Sequence, residues 1–337
     1  MVLLASVVAT DHRWLRIVAP LVYLASVAGL VLVLAMGSTV HGSRSWLQLG
    51  GMSIQPSEFA KLAVVIGMAL WVAERAEVRR GRPAGSWRGG SVGDVLGMLA
   101  IAGLPAALIL LQPDLGTMLV LSATVFGVLA VSGARRRWLV LVLVSAGGVA
   151  AAALAGGVLK AYQVDRFLAF VDPELDPRGA GYNVEQARIA IGNGGLFGQG
   201  LFHGSQTRSG FVPEQQTDFV FTVAGEELGL IGAGLLIALL AVVIWRALVI
   251  ARHAEDVFGR VAAAGIACWF GFQAFQNIGM CLGIMPVTGV PLPFVSYGGS
   301  SLFAGMLAVG LLQNIHVRSQ TRTYVAPRAE RRVLIGR

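Results

Sequence analysis

Charged residues are scarce in this sequence. They make up only 13% of its 337 residues, against 55% for apolar residues, and soluble domains carry about 25% charged residues. The low charge excludes an ordinary soluble domain, and the apolar content excludes intrinsic disorder. The two cysteines, Cys268 and Cys281, share one apolar stretch, which is typical of core residues rather than of a disulfide framework. The five histidines show no metal-ligand spacing.

Long apolar stretches are abundant instead. A membrane-spanning helix needs about 20 mostly apolar residues, and eight stretches come close to that length. They predict an all-α, polytopic membrane protein with one domain over residues 1–337. The apolar stretch 1–9 is too short to cross and is interpreted as the tail of a span whose beginning is absent. The predicted spans are 15–36, 57–74, 94–111, 115–133, 137–159, 219–245, 260–283 and 297–316.

Basic residues predict the orientation of these spans. Nineteen of the 26 lysines and arginines fall in alternate connecting segments, which the positive-inside rule places in the cytoplasm. The net charge of +8 is therefore a topology signal, with attraction to anionic lipid as a secondary effect, and nucleic acid is not an expected partner. Segment 160–217 is predicted to be extracytoplasmic, with a short amphipathic helix over 183–191 on the membrane surface. The basic tail 318–337 is predicted to be cytoplasmic and flexible.

Several charged residues interrupt the apolar stretches. A charge at the centre of a span costs about 2.5–3.5 kcal/mol, so each one needs a reason. Glu58 and Lys61 are three residues apart on one helix face. Either they form a self-compensating ion pair, or Lys61 lies in a cavity and meets an anionic group. Asp114, in a tight turn that begins at Gln112, is expected to cap the following helix, which is compatible with a second role.

The strongest group of polar residues leads into the sixth span. Asp218, Thr222, Gly225 and Glu226 are spaced to share one helix face, with Asp218 at the mouth and Glu226 about two turns deeper. Asp218 is either a helix cap or a general base, because partial desolvation raises the pKa of a carboxylate. Glu226 is either a buried structural acid or part of the same site.

Two irregular segments stand out. The glycine-rich segment 192–200 does not match the dinucleotide fingerprint, and its glycines predict close backbone approach or tight turns. Three prolines between 286 and 293, followed by Ser296 and Tyr297, predict an irregular loop entering the last span. Because irregular backbone at membrane depth must be covered by protein or water, this loop is predicted to be re-entrant and to line a polar cavity. The residues expected around that outward-facing cavity are Asp218, Glu58, Lys61 and Asp114.

Four motifs resemble the SEDS family of shape, elongation, division and sporulation proteins, and the similarity covers nearly the whole chain. Gln112 and the segment 170–182 resemble the RodA branch, with the FtsW division branch the nearer alternative. The resemblance implies ten spans, of which this chain is expected to lack the first and most of the second. The motifs are Pro56-Ser-Glu-Phe-Ala-Lys, Gln112-Pro-Asp-Leu-Gly-Thr, Pro213-Glu-Gln-Gln-Thr-Asp-Phe and Pro286-Val-Thr-Gly-Val-Pro-Leu-Pro-Phe-Val-Ser-Tyr-Gly-Gly-Ser-Ser.

The resemblance implies a peptidoglycan glycosyltransferase that polymerises lipid II at the outer face of the cytoplasmic membrane. Asp218 aligns with the essential acid of the family and is expected to act as general base in an inverting transfer. Lys61 and Arg44 are expected to stabilise the leaving undecaprenyl diphosphate. Mg²⁺ or Mn²⁺ could assist, with Asp114 and Glu58 as oxygen ligands. The remaining expected substrate-binding residues are Gln112, Glu226, Ser296 and Tyr297.

The resemblance also implies a class B penicillin-binding protein as partner, in contact with the outer loop and the last spans. Two other functions stay open. A lipid II flippase would explain broken helices and intramembrane charges, although no inverted repeat is visible and Asp218 is expected at the mouth rather than the midplane. A non-catalytic scaffold for the penicillin-binding protein would leave the burial of Lys61 and Glu226 unexplained.

Overall fold

A computed structural model describes residues 12–40, 43–49, 52–79, 91–157, 161–172, 176 and 179–333. The predicted span remnant 1–9 and the basic residues of 80–88 lie outside these ranges. The described helices, in chain order, are α1 (His12–Met36), α2 (Pro56–Arg79), α3 (Val92–Leu111), α4 (Leu115–Val131), α5 (Arg136–Ala155), α6 (Ala161–Val171), α7 (Ala180–Asn193), α8 (Ser205–Ser209), α9 (Val220–His253), α10 (Val257–Leu282) and α11 (Gly299–Val333).

Two helices form the centre of the bundle. In the apolar stretches of α2 and α10, 72% of the residues are buried. Their facing side chains build the main hydrophobic core together with those of α4. Helix α2 begins at Pro56, whose fixed φ suits the first helical position. Helix α10 begins after Asp256, whose side chain accepts a hydrogen bond from the Gly259 backbone N–H at 3.0 Å. By contrast, none of the residues in the apolar stretch of α5 is buried.

A second apolar cluster supports the end of the bundle where the functional site lies. Val184 and Ala187 of α7 pack there with Phe219, Met280 and Leu292. In α7 the buried positions recur about every third residue, which is the spacing of one helix face. The helix predicted over 183–191 is therefore confirmed within α7, while its position on a membrane surface stays a prediction.

A small antiparallel sheet, which the sequence did not predict, joins α1 to α2. Its strands are β1 (Ser38–Val40), β2 (Ser43–Leu49) and β3 (Met52–Ile54), in the order β1-β2-β3. Ser38 pairs with Trp46, and Leu47 pairs with Ile54. Two of the three strands have only three residues, too few for an alternating pattern to stand out.

The predicted spans agree closely with the described helices. Seven of these helices are long and apolar enough to cross a membrane, and the stretch predicted over 115–133 corresponds to α4, an apolar helix of 17 residues. The chain is thus a predominantly helical, multi-pass membrane protein. One prediction differs from the structure: α11 continues through Val333, so helix replaces most of the flexible tail expected over 318–337.

Helix α9 is broken where the glycine-rich segment meets it. Gly229 has non-helical backbone angles (φ +67°, ψ −168°), so the amides of Leu230 and Ile231 cannot bond within the helix. They donate instead to the carbonyls of Gly195 and Leu196, at 2.9 and 3.2 Å. In return, the amides of Gln199 and Gly200 donate to the carbonyls of Glu226 and Glu227, at 3.0 and 3.1 Å.

Glycines make this insertion possible, as the sequence predicted. A Cβ at Gly194 would overlap the carbonyl oxygen of Gly225, and one at Gly198 would overlap that of Glu227. Gly198 also has a φ of +81°, which L-residues with a side chain rarely adopt. The segment therefore completes the broken helix with its own backbone hydrogen bonds, which satisfies the requirement that buried backbone groups be paired.

Candidate active site

A polar cavity of about 480 Å³ opens at one end of the bundle. Its wall is made by β2, the turn before α4, helices α6 and α7, the turn before α9, and the irregular loop before α11. The lining residues include Asp114, Tyr162, Arg166, Glu214, Asp218, Gly289 and Tyr297. The loop predicted to be re-entrant from its prolines does line a cavity.

Asp218 lies in this cavity, half-buried, two residues before α9 begins. Its backbone is held on two sides, because its N–H donates to the carbonyl of Glu214 at 3.0 Å and its carbonyl accepts from Asn277 Nδ2 at 2.7 Å. Asn277 is fully buried in α10 and also donates to the carbonyl of Val290. The same amide thus ties the turn that carries Asp218 to the loop across the cavity.

Asp114 caps α4, as predicted. Its Oδ1 accepts from the backbone N–H of Thr117 at 3.0 Å, and its Oδ2 accepts from Thr117 Oγ1 at 2.8 Å and from Gln55 Nε2 at 3.3 Å. It also lines the cavity. The Asp114 carboxylate therefore caps α4 and lines the cavity at the same time.

Helix α6 brings a cation to the cavity. Arg166 is the one basic side chain among the described lining residues, and its guanidinium lies 5.7 Å from the ring centroid of Tyr162. The Tyr162 hydroxyl donates to the carbonyl of Pro113 at 3.1 Å, which anchors α6 to the turn before α4. Burial raises the pKa of Tyr162 above 10.0, with Arg166 opposing and Asp114 adding to the shift, so the phenol remains a donor at neutral pH.

Lys61 and Glu58 are not in the cavity, which corrects one of the two interpretations. Lys61 is 0% exposed in the core, with its Nζ 2.7 Å from Glu58 Oε1 and 2.8 Å from Gln273 Oε1. The self-compensating pair is therefore the arrangement present. Gln273 Nε2 in turn donates to the carbonyl of Pro291 at 2.8 Å. Through Gln273, the ion pair supports the loop that lines the cavity.

Four other predicted site residues have structural contacts. Arg44 donates to the carbonyls of Gly37 and Ala35 at the end of α1. Gln112 is buried and donates to the carbonyl of Leu30 at 3.0 Å. The remaining two bind backbone amides: Ser296 Oγ accepts from Leu292, and the buried Glu226 carboxylate accepts from Gln206 and Thr207. None of these four residues is among those that line the cavity. Their predicted roles in substrate binding remain predictions.

Tyr297, the last predicted residue, does line the cavity. It is 79% exposed, and its backbone N–H donates to the carbonyl of Gln216 at 2.8 Å. Sequence reasoning missed Arg166, Tyr162 and Glu214. The spacing of Tyr162 and Arg166, four residues apart on one helix face, was a usable signal, because α6 follows a predicted span directly.

The described residues offer little for the predicted cation. Within the described ranges no group of three or more His, Cys, Asp or Glu side chains is placed to hold a metal ion. Glu58, one of the two predicted ligands, is committed to Lys61 and lies outside the cavity that Asp114 lines. Asp114 and Glu58 therefore do not line this cavity together.

Fold and site together define a multi-pass membrane protein that holds carboxylates and an arginine in a polar cavity at the end of its helix bundle. The family of cell cycle proteins that comprises FtsW, RodA and SpoVE matches residues 1–321, and the chain belongs to this family. The chain is 41% identical to peptidoglycan glycosyltransferase MrdB of Escherichia coli K12, over 88% of this chain and 77% of MrdB. It is also 41% identical to stage V sporulation protein E of Bacillus subtilis 168, over 85% and 75%.

Solved structures support the same relationship. A chain of a peptidoglycan synthase complex superposes with a TM-score of 0.76 at 33% identity, covering 94% of this chain and 86% of that one. The rod shape determining protein RodA of Thermus thermophilus superposes with a TM-score of 0.65 at 30% identity, covering 94% and 84%. The family predicted from the four motifs is confirmed.

Proposed function

We propose that this protein is a peptidoglycan glycosyltransferase that polymerises lipid II into glycan strands. A relative named peptidoglycan glycosyltransferase is 41% identical to it over 88% of the chain. The observation that carries the proposal is the shared cavity, in which the half-buried Asp218 faces the same space as Arg166 and Asp114.

Asp218 is the general base of this reaction. It removes the proton from the sugar 4-hydroxyl of the acceptor lipid II while that oxygen attacks the anomeric carbon of the growing chain. The bond from that carbon to the diphosphate oxygen breaks, and undecaprenyl diphosphate leaves with the electron pair. The α-linked donor becomes a β-linked product, so the transfer inverts without a covalent enzyme intermediate. General base catalysis of this kind contributes about 10²–10⁴-fold to a rate.

Arg166 takes the cationic role that the sequence assigned to Lys61 and Arg44. A leaving diphosphate needs a positive group near its oxygens, and Arg166 is the described basic side chain that lines the cavity. A guanidinium also fits two phosphate oxygens at once. A divalent cation stays a separate proposal, to be tested by chelation, and no step here depends on it.

The cavity faces the outer side of the cytoplasmic membrane in this proposal. The alternation of basic connecting segments supports that orientation, and apolar helix flanks beside the cavity would hold the polyprenyl tails. A class B penicillin-binding protein is the proposed partner, supported by the similarity to a chain of a peptidoglycan synthase complex. We propose that this activity serves cell elongation and shape, supported by the similarity to a rod shape determining protein, with division as the nearer alternative.

The proposal is tested with the purified full-length protein, alone and with its penicillin-binding partner, supplied with labelled lipid II in detergent. Asp218→Asn is expected to abolish glycan chains while expression and partner binding persist. Asp165→Asn is the matched control, because Asp165 is exposed on α6 and outside the cavity wall. Unchanged polymerisation by Asp218→Asn would refute the base assignment. Translocation of lipid II in liposomes without any polymer would favour a transporter, for which the broken α9 is a typical feature.

A further inference from the structure

Glu226 is a fully buried carboxylate whose described side-chain partners all lie in the first turn of α8. Its Oε1 accepts from the backbone N–H of Gln206 at 2.7 Å and from Ser205 Oγ at 3.3 Å. Its Oε2 accepts from the backbone N–H of Thr207 at 2.9 Å and from Thr207 Oγ1. A buried carboxylate is stable only with such donors. Both of its oxygens are therefore occupied by the protein itself.

The backbone of Glu226 anchors the same stretch a second time. Its carbonyl accepts from the amide of Gln199, and the neighbouring carbonyl of Glu227 accepts from Gly200, at the break in α9. Gly204 lies between these two anchors, and a Cβ there would stand 2.7 Å from Glu226 Oε2. Residues 199–207 are thus fastened to the first half of α9 by main chain at one end and by a side chain at the other.

This fastened stretch continues into the turn that carries Asp218. The amide of Phe211 donates back to the carbonyl of Gln206 at 3.3 Å, and the amide of Asp218 donates to that of Glu214 at 3.0 Å. The chain then enters α9, which itself contains Glu226. The path from α8 through Asp218 to Glu226 is therefore a closed loop, and the Glu226 carboxylate closes it.

We propose that Glu226 is a positioning residue for Asp218: its carboxylate locks α8 against α9, so that the turn between them holds the Asp218 carboxylate in the cavity. This inference rests on the proposed function, in which Asp218 removes a proton from the acceptor. Glu226 is not part of the cavity wall, so it acts on the reaction through Asp218 and not by contact with the substrate.

The test compares Glu226→Gln with Glu227→Gln in the full-length protein, using labelled lipid II in detergent. The amide of Glu226→Gln turns one acceptor into a donor that faces the α8 amides, which loosens the loop. Misplacing a catalytic group by about 1 Å costs roughly 100-fold, so kcat is expected to fall by about tenfold to 100-fold. KM for lipid II is expected to stay within about twofold, because no cavity residue has changed.

Glu227→Gln is the matched control, since Glu227 is the adjacent buried acid and its carboxylate bonds to no residue of α8 in the described chain. It is expected to keep wild-type kcat. Two variants of Thr207 keep the test informative if the Glu226 variant fails to fold. Thr207→Val removes one hydroxyl donor to Glu226 and is expected to lower kcat, while Thr207→Ser keeps that hydroxyl and is expected to restore it.

The outcomes separate the two proposals. A folded Glu226→Gln protein with wild-type kcat, or Thr207→Val and Thr207→Ser with equal kcat, overturns the positioning role and leaves the proposed function standing. A Glu226→Gln protein that raises KM with kcat unchanged also overturns it, because that pattern indicates substrate binding. A wild-type protein that makes no polymer even with its partner overturns the proposed function and the positioning role with it.

Discussion

The backbone of Gly289 lies directly against the carboxylate of Asp218: a Cβ at residue 289 would stand 3.2 Å from Asp218 Oδ2. Gly289 also has a φ of +71°, in the left-handed region that favours glycine. The re-entrant loop therefore has a glycine where it meets the acid, for reasons of both space and backbone conformation. A Cβ there would be in unusually tight contact, so the Asp218 carboxylate would have to shift by a few tenths of an ångström.

Gly289→Ala is expected to impair polymerisation without removing a functional group. The left-handed conformation costs an alanine about 1–2 kcal/mol, and the added methyl crowds the Asp218 carboxylate. We expect kcat for lipid II polymerisation to fall by about tenfold or more. Gly234→Ala is the control, because Gly234 lies in α9 with open space around its Cβ position. Equal activity of the two variants would contradict the close approach.

Arg166→Gln is expected to lower kcat/KM for lipid II by about 10-fold to 100-fold, since a hydrogen bond to a charged group is worth about 1.5–3 kcal/mol. Arg166→Lys should restore part of the loss, because the charge remains while the planar fork is lost. Arg208→Gln serves as control, because Arg208 is exposed and outside the cavity wall. If Arg166→Gln and Arg208→Gln polymerise alike, Arg166 does not bind the diphosphate.

Lys61→Met is expected to destabilise the protein, because it leaves the buried Glu58 carboxylate without its cation. Removing one partner of a buried pair costs about 3–5 kcal/mol. We expect a clear drop in the melting temperature in detergent. The double variant Glu58→Gln/Lys61→Met removes both charges and should melt above Lys61→Met. A double variant that melts no higher would contradict a closed ion pair.

Gly198→Ala is expected to disrupt the insertion of the glycine-rich segment into the break of α9. Its Cβ would overlap the Glu227 carbonyl, and its φ of +81° is unfavourable for alanine. A lower melting temperature and a lower yield of folded protein should follow. Gly192→Ala, at the end of α7 with open space at its Cβ position, provides the comparison. The insertion would be unimportant for stability if both variants melted together.

Much of this architecture could be predicted because membrane helices obey local rules. A run of about 20 apolar residues predicts a span wherever it occurs, and the eight predicted stretches correspond to α1 to α5 and α9 to α11. The Asp114 cap depends only on the residues that follow it, and the crowding at Gly194 and Gly198 followed from the glycine-rich pattern. The break at Gly229 was not predicted, because glycines within an apolar run are compatible with an unbroken helix, and nothing in the sequence marks Gly229 among the four between 225 and 234.

For the candidate site, too, local features could be predicted and contacts between distant segments could not. The sequence by itself determined a helical membrane protein with an acid, Asp218, next to the start of a span and an irregular loop before the last helix. Only the tertiary structure decided which charges share the cavity. It placed Arg166 there with Asp218, buried Lys61 against Glu58 and Gln273, and turned Glu226 toward α8. Periodicity assigns a side chain to a helix face, but what that face meets depends on the packing of segments far apart in the chain.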